Sequence, residues 1–401
     1  MHDVRQVAVL AFSGGLDTTY CAVWLREQGY AVHTVTVMTD AYSPAEVEQL
    51  AAHAARLGVV KHTLVDARRE LFDDYLKYLI FANALRGEAY PLCVSVERVV
   101  QARCVARHAA QIQAQAVAHG STGAGNDQVR FDVAFRVFAP GLTVMTPIRD
   151  QALSREATTA YLHERGIEVP PKTSRYSVNR GLWGTTIGGA ETHVSDGVLP
   201  EEVYQLTRRP WPNEPETVAL TFDGGVPVAL EGAPLDPIDL IDALNHRAGR
   251  HGVGRGMHVG DTILGIKGRV AFEAPAAAVL IPAHRELEKL VLSRQQQMWK
   301  RTLGDQYGAM LHEARAFDPL MRDIEAFLVS SQQRVSGTVQ VRLSSGQATV
   351  LGATSPHSLM NVGKARYGES SALWTGAEAA AFSKIYGMQD CLLAQTAGVG
   401  D

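Results

Sequence analysis

Val7-Ala-Val-Leu-Ala-Phe-Ser-Gly-Gly-Leu-Asp-Thr-Thr19 is the stretch that decides the fold. Its first six residues are continuously apolar, as in a strand buried on both faces. Two glycines end the run, and a helix follows through Ala22-Val-Trp-Leu25, stopping near Gly29. In a strand–turn–helix of this kind, backbone N–H groups gather at the positive end of a helix dipole, which suits an anion. Ser13 and Thr18 add hydroxyl donors, and Asp17 can hold Mg²⁺ or orient the phosphates of a ligand. The loop lacks the Gly-Lys-Ser/Thr ending of a Walker A loop, which disfavours transfer of a γ-phosphate. A Gly-Gly pair alone would be read as a plain turn; Ser-Gly-Gly-Leu-Asp-Thr in this context is read as a ligand loop.

Outward from this unit the first ~170 residues alternate strand and helix patterns, which implies a mostly parallel sheet. Strands are expected at Ala31–Met38, Val59–Val65, Ala116–His119 and Thr143–Pro147. Helices are expected at Pro44–Leu57, Arg68–Leu85, Val94–Gln113 and Ser154–Arg165. The character changes after Pro170-Pro171. Residues 172–215 show little periodicity, and hairpins and long helices follow. Val218–Phe222 with Val226–Leu230, and Val339–Leu343 with Ala348–Leu351, read as hairpins. Ala283–Leu303 and Asp318–Gln333 read as helices, and Ala377–Leu393 as a tail helix able to dock on a neighbouring subunit. The expected fold class is therefore α/β. A doubly wound parallel-sheet nucleotide-binding domain would span 1–171, an α+β domain 172–376, and a tail 377–401 would serve oligomerisation.

Composition removes several function classes. The chain of 401 residues is 46% hydrophobic and 20% charged, enough apolar content for two ordinary cores. Its net charge of -4 argues against nucleic acid as a partner. No run approaches the roughly 20 apolar residues of a membrane span, and the N-terminus does not read as a secretory signal. Cys21, Cys93, Cys104 and Cys391 are scattered without paired spacing. They imply a reduced, cytoplasmic protein without a zinc site or disulfide framework.

A second Gly-rich turn, His119-Gly-Ser-Thr-Gly-Ala-Gly-Asn-Asp-Gln-Val-Arg-Phe131, lies between the fourth strand and a helix. Open α/β sheets bind ligands at such turns. Thr122 and Asn126 can bond a carboxylate, and Asp127 can accept from an ammonium, so the set suits a zwitterionic amino acid. Asn126 and Arg130 share a helix face. Capping by Asn126 or Asp127 would account for one polar residue, not for the run.

These motifs resemble those of the argininosuccinate synthase family, whose nucleotide loop reads A-[YF]-S-G-G-L-D-T-S and whose second signature reads G-x-T-G-x-G-N-D-Q-V-R-F. Here they stand as Ala11–Thr19 and Gly120–Phe131. SGGxDS-like loops more broadly resemble the ATP pyrophosphatases, which cleave ATP to AMP and pyrophosphate. The similarity continues through Arg149, Tyr176-Ser177, Leu182-Trp-Gly184, Arg250–Arg255 and Ser355-Pro-His357, covering nearly the whole chain. The resemblance implies ATP on Ala11, Phe12, Ser13, Gly14, Gly15, Leu16, Asp17, Thr18, Thr19, Val37 and Gly120. It implies aspartate on Thr122, Asn126 and Asp127, and citrulline on Tyr90, Ser95, Asn126, Arg130, Ser177 and Thr186. Asp17, Asp127 and Arg130 would carry the chemistry, with Mg²⁺ at Asp17, in a homotetramer. The implied reaction activates citrulline with AMP and joins it to aspartate in arginine biosynthesis.

Some positions depart from the family pattern. Where a glutamate and a tyrosine usually face the α-amino group of citrulline, this chain has Gly260 and Phe272; Val94 and Ala124 replace a threonine and a lysine. Asp261 is the expected substitute partner for that ammonium. The alternative is the same chemistry on a modified ureido compound such as an N-acylated citrulline, with Gly260 leaving room for the acyl group. A tRNA-thiolating enzyme would need sulfur-carrying cysteines and a basic surface, which are missing. A degenerate nucleotide-binding regulator would not be expected to keep Ser13, Asp17, Asn126, Asp127 and Arg130.

Overall fold

A computed structural model describes residues 5–168, 175–362, 368 and 372–397. Strand β1 (Val7–Ala11) is the centre of a five-stranded sheet of order β3-β2-β1-β4-β5, all parallel. Its neighbours are β2 (Ala31–Met38) and β4 (Ala116–Ala118), flanked by β3 (Lys61–Asp66) and β5 (Thr143–Met145). The register places Leu10 beside Thr34 on one side and Ala118 on the other. Ala8 and Leu10 pack into one core with helix α1 (Leu16–Glu27), while Val9 packs into the other. This is why the opening run is apolar at every position rather than at alternate ones. The chain order reverses at β1/β4, so the turns after these strands flank the crevice where doubly wound sheets place ligands.

Most of the first domain follows the expected pattern. Helix α2 (Pro44–Arg56) starts with a capping box between Ser43 and Glu46. The helix expected over Arg68–Leu85 is α3, built of Arg68–Leu71, a π-turn at Phe72–Leu76, and Lys77–Ala82. It ends early because Asn83 turns left-handed (φ 50), a conformation asparagine tolerates. Its side chain bonds His284 at 2.8 Å and Glu288 at 2.7 Å. Helix α4 (Glu97–Gln111) likewise starts later than Val94, since Leu92 and Val94 have φ of 63 and 57. For a β-branched residue that φ is an outlier, and no propensity signals it in advance. Helices α5 (Asn126–Phe138) and α6 (Arg155–His163) complete the layer.

The second half departs further from expectation. The aperiodic stretch holds β6 (Tyr176–Asn179) and β7 (Thr185–Gly189). They join β11 (Arg255–Asp261) and β12 (Lys267–Glu273) in an antiparallel sheet of order β11-β12-β7-β6. Both expected hairpins form, β8 (Glu216–Asp223) with β9 (Val226–Leu230) and β13 (Gly337–Ser344) with β14 (Gln347–Thr354); β8 pairs β13, and the short β10 (Ala233–Pro234) edges β9. The single helix expected at Ala283–Leu303 is two. Helix α8 (Pro275–Val291) ends at Leu292, and α9 (Arg294–His312) restarts behind a Ser293–Gln296 capping box; between β9 and β11 lies α7 (Pro237–Arg250). Helix α10 (Pro319–Gln332) follows. The tail is also two helices, α11 (Gly376–Tyr386) and α12 (Met388–Thr396), broken at Gly387. The domain boundary expected at 171/172 lies outside the described residues.

The small sheet docks on the first domain by buried links. Leu182 N–H donates to Thr39 O at 2.7 Å, and Trp183, 1% exposed, donates from its indole to Pro91 O at 2.8 Å. Those links set β7 and β12 beside the segment that precedes α4.

Candidate active site

The first turn is held by its own residues. Thr18 Oγ1 donates to Gly15 O at 3.2 Å, Ser13 Oγ lies 3.2 Å from it, and the Ser13 and Gly15 N–H groups point at these hydroxyls at 3.4 Å. Gly14 sits at φ 74, and a Cβ there would meet Leu50 Cδ2 at 2.6 Å, so the position admits only glycine. Gly15 caps α1 without a side-chain hydrogen bond. The first-turn N–H groups of α1 thus receive no help from a capping side chain, as an anion site requires. Asp17 stands in this first turn, and burial, opposed by Arg155, holds its pKa above the usual carboxylate range. Phe12 and Leu16 are core residues, and the buried Thr19 hydroxyl is engaged by His53 at 2.8 Å. Val37 is buried on β2, and Ala11 ends β1.

The second turn comes against the first. A Cβ on Gly120 would lie 3.1 Å from the Asp17 carbonyl carbon and 3.2 Å from Thr18 N, so glycine permits the two turns to touch. His119 shapes this turn. Its Nδ1 accepts from Ser121 N–H at 3.2 Å, so its proton sits on Nε2 and is given to Asp132 at 2.9 Å. Asp132 in turn takes Arg149 at 2.7 Å, and Gln128 donates to Gly123 O. Thr122 is exposed at the rim of the turn.

Asn126 and Asp127 open α5, and Arg130 follows one turn on. Asp127 lies between two guanidinium groups, Arg98 Nε at 2.8 Å and Arg130 Nη1 at 3.0 Å. Burial would raise its pKa, but the two cations outweigh it and hold the carboxylate below its ordinary value. Arg98 also reaches Asn179 Oδ1 at 2.8 Å, which ties β6 to the cluster. Arg130, 5% exposed, binds the carbonyl and ring of His312 on α9. Burial and Arg130 depress the His312 pKa to about 3, so its imidazole is neutral. Asn126 Oδ1 accepts from Ile263 N–H at 2.8 Å, in the β11–β12 turn.

The other residues expected at the acceptor end come from three segments. Tyr90 and Ser95 are buried, and the Tyr90 hydroxyl donates to Cys93 O at 2.5 Å. The Tyr90 ring stacks on His258 at 5.4 Å and tilts against Phe272 at 5.3 Å. Phe272 pairs with Thr186 across β12 and β7, and Ser177 stands exposed on β6 opposite Gly188. Asp261 is placed differently from its expected part. Its carboxylate is exposed and ion-paired with Lys267 at 2.7 Å across the hairpin; only its backbone carbonyl, which takes Arg86 at 3.1 Å, reaches inward. The space beside Gly260 is not open either, since a Cβ there would lie 2.5 Å from His258 Nε2.

Sequence reading missed Arg98, Asn179, His258 and His312, because each meets the site through partners far along the chain. It also missed Glu97, which is 1% exposed. Burial, against the pull of Arg98 and Thr39, lifts its carboxyl to about 8. Thr39 donates to Oε2 at 3.1 Å, while Oε1 has no partner and lies where Gly181 would carry a Cβ.

The turn after β1 and the Asn126–Asp127–Arg130 cluster after β4 stand at the switch point of a doubly wound parallel sheet, the place where α/β enzymes bind their ligands. Two family models match: the Arginosuccinate synthase N-terminal HUP domain over residues 7–168 and the Arginosuccinate synthase C-terminal domain over residues 176–393. The chain is 42% identical to the argininosuccinate synthase of Methanocaldococcus jannaschii over 358 residues, 89% of this chain and 90% of that one. It is 36% identical to that of Dictyoglomus thermophilum over 399 residues, 99% of this chain and 100% of that one. The chain belongs to the argininosuccinate synthase family, and it is a ligase.

Proposed function

We infer that the protein joins citrulline to aspartate at the expense of ATP, forming argininosuccinate, AMP and pyrophosphate in arginine biosynthesis. The observation that carries this reading is the family match across both domains, with the two turns meeting at one crevice. The ureido oxygen of citrulline attacks the α-phosphorus of ATP, and pyrophosphate leaves. The α-amine of aspartate then attacks the activated ureido carbon; AMP departs with the electron pair and the amine loses its proton. Adenylation is needed because a urea oxygen is a poor leaving group, and positioning with charge neutralisation supplies the rest.

The residue assignments are our proposal. The turn from Ala11 to Thr19, with Val37 and Gly120, takes ATP. Thr122, Asn126 and Asp127 take aspartate; Tyr90, Ser95, Asn126, Arg130, Ser177 and Thr186 take citrulline. Each Asp127 oxygen already accepts one guanidinium N–H and keeps a lone pair for an ammonium. Asp17 is the group suited to Mg²⁺: one hard oxygen ligand beside a phosphate loop is what that ion uses when phosphates and water supply its other ligands. Mg²⁺ there would neutralise pyrophosphate charge. The division of labour is a nucleotide unit over 1–171, a synthetase unit over 172–376 and a tail over 377–401. Phe382, Ile385, Tyr386, Leu392 and Leu393 are each more than half exposed on the tail helices, which supports assembly, proposed as a homotetramer. No described helix is long and apolar enough to cross a membrane, and all four cysteines are free. Both support a cytoplasmic setting.

An N-acylated acceptor has no observation in its favour, since His258 fills the space beside Gly260. The test is product analysis with ATP, aspartate and citrulline. AMP and pyrophosphate in equal amounts are expected, and ADP with phosphate would overturn the reading.

A further inference from the structure

His312 is the last residue of α9, and it belongs to the second domain, yet the side chains it engages most closely belong to the first. Its carbonyl oxygen accepts from Arg130 Nε at 3.3 Å and Nη2 at 2.9 Å, and its Nδ1 faces Nη2 at 3.2 Å. Carbonyls in the last turn of a helix lack intrahelical partners and carry the negative end of the dipole, so a guanidinium is a fitting cap. Arginine only donates, so Nδ1 is unprotonated and the ring proton sits on Nε2. That nitrogen lies 3.5 Å from Asn126 Nδ2, which also only donates, so in this tautomer the two make no hydrogen bond. Arg130 Nη1 donates once more, to Asp127 at 3.0 Å. Of the five N–H groups of a guanidinium, the one on Nε, the two on Nη2 and one on Nη1 are thereby committed. A single Nη1 N–H remains.

We propose that His312 is a positioning residue for the acceptor: by holding Nε and Nη2 of Arg130 it leaves one N–H to offer, so Arg130 grips a single oxygen of the ureido substrate instead of forking onto a carboxylate. A fork would need two adjacent N–H groups pointing the same way, as in bidentate carboxylate recognition. A urea oxygen needs only one, and Asn126 Nδ2, on the same helix face, can supply another. Without the His312 ring one Nη2 N–H is released, while the main-chain carbonyl still holds Nε and the other Nη2 N–H, so Arg130 gains a second N–H to offer. This inference rests on the citrulline reading of the site.

The experiment uses the full chain and follows pyrophosphate release, varying each substrate in turn. His312→Phe keeps the bulk but not the acceptor nitrogen. It should raise the citrulline KM about tenfold, the loss of one hydrogen bond to a charged group. The ATP and aspartate KM values should stay within about twofold. His312→Asn places an oxygen near the Nδ1 position and should recover the citrulline KM to within about threefold of wild type. If the effect runs through Arg130, His312→Phe should add little in an Arg130→Lys background. A uniform rise in all three KM values, a fall in kcat alone, no recovery with asparagine, or an undiminished effect beside Arg130→Lys would each overturn the inference. A wild-type enzyme that does not use citrulline overturns the functional reading and this inference with it. Normal wild-type turnover with any of the adverse variant patterns sinks the inference alone.

Discussion

The turn after β1 and the cluster around Arg130 both stand at the switch point of the parallel sheet but are built in opposite ways. In the turn, Ser13, Gly15 and Thr18 bond each other across two to five residues of chain. In the cluster, Asn126 reaches Ile263 across 137 residues, and Arg130 reaches His312 across 182. A turn of the first kind is complete once a short peptide follows a buried strand. A cluster of the second kind exists only when two domains have docked, so its geometry depends on residues remote from the motif.

The sharpest way to break this contrast is Asp17→Asn. If the turn is self-contained, the variant should keep its melting temperature and its citrulline KM. Turnover should fall on the order of a thousandfold, as for loss of a preorganised charge-stabilising group. A near-normal rate would remove Asp17 from the reaction.

Asp127→Ala attacks the cluster. It strands Arg98 and Arg130 without their shared anion, and an uncompensated buried charge is costly. The aspartate KM should rise about a hundredfold, more than the ATP KM, and thermal unfolding should come earlier. An unchanged aspartate KM would show that Asp127 only braces the two arginines.

Glu97 sharpens the contrast through pH. Burial raises its pKa to about 8, so the folded chain holds a proton that the unfolded chain gives up near the ordinary value of 4.5. Its contribution is therefore fully present below the unfolded value and declines as pH rises toward about 8. Glu97→Gln should melt about 3 °C or more above wild type near pH 8.5, with the gap closing near pH 5. Equal melting temperatures at both pH values would mean that Glu97 is not neutral in the folded state. Asp261→Ala should do least. An exposed pair with Lys267 contributes little, so the citrulline KM should change less than about twofold. A larger rise would return the Asp261 carboxylate to the acceptor pocket.

How legible the chain was follows the same division. Val7–Ala11 and the turn after it could be read because a strand buried on both faces is apolar throughout, and because Gly14 serves a purely local backbone need. β11 and β12 could not. Gly256, Gly260 and Gly268 weaken any strand signal, and the glycine at 256 answers to the Phe272 ring it must clear. The break at Leu292–Ser293 had a local signal in the Ser293–Gln296 box, but the apolar pattern ran across it. At the site, Asn126, Asp127 and Arg130 stood in one motif, whereas Arg98, His258 and His312 carry no motif at all.

The sequence by itself determined the parallel sheet, the glycine turn after β1 and the family, since each is written in contiguous residues whose periodicity and chemistry act locally. Only the tertiary structure decided how the cluster around Arg130 is held. It sent the Asp261 carboxylate to Lys267, filled the space beside Gly260 with His258, and brought the end of α9 onto Arg130. The reason is physical: a buried guanidinium must satisfy its donors with whatever acceptors docking delivers, and sequence spacing does not say which those will be.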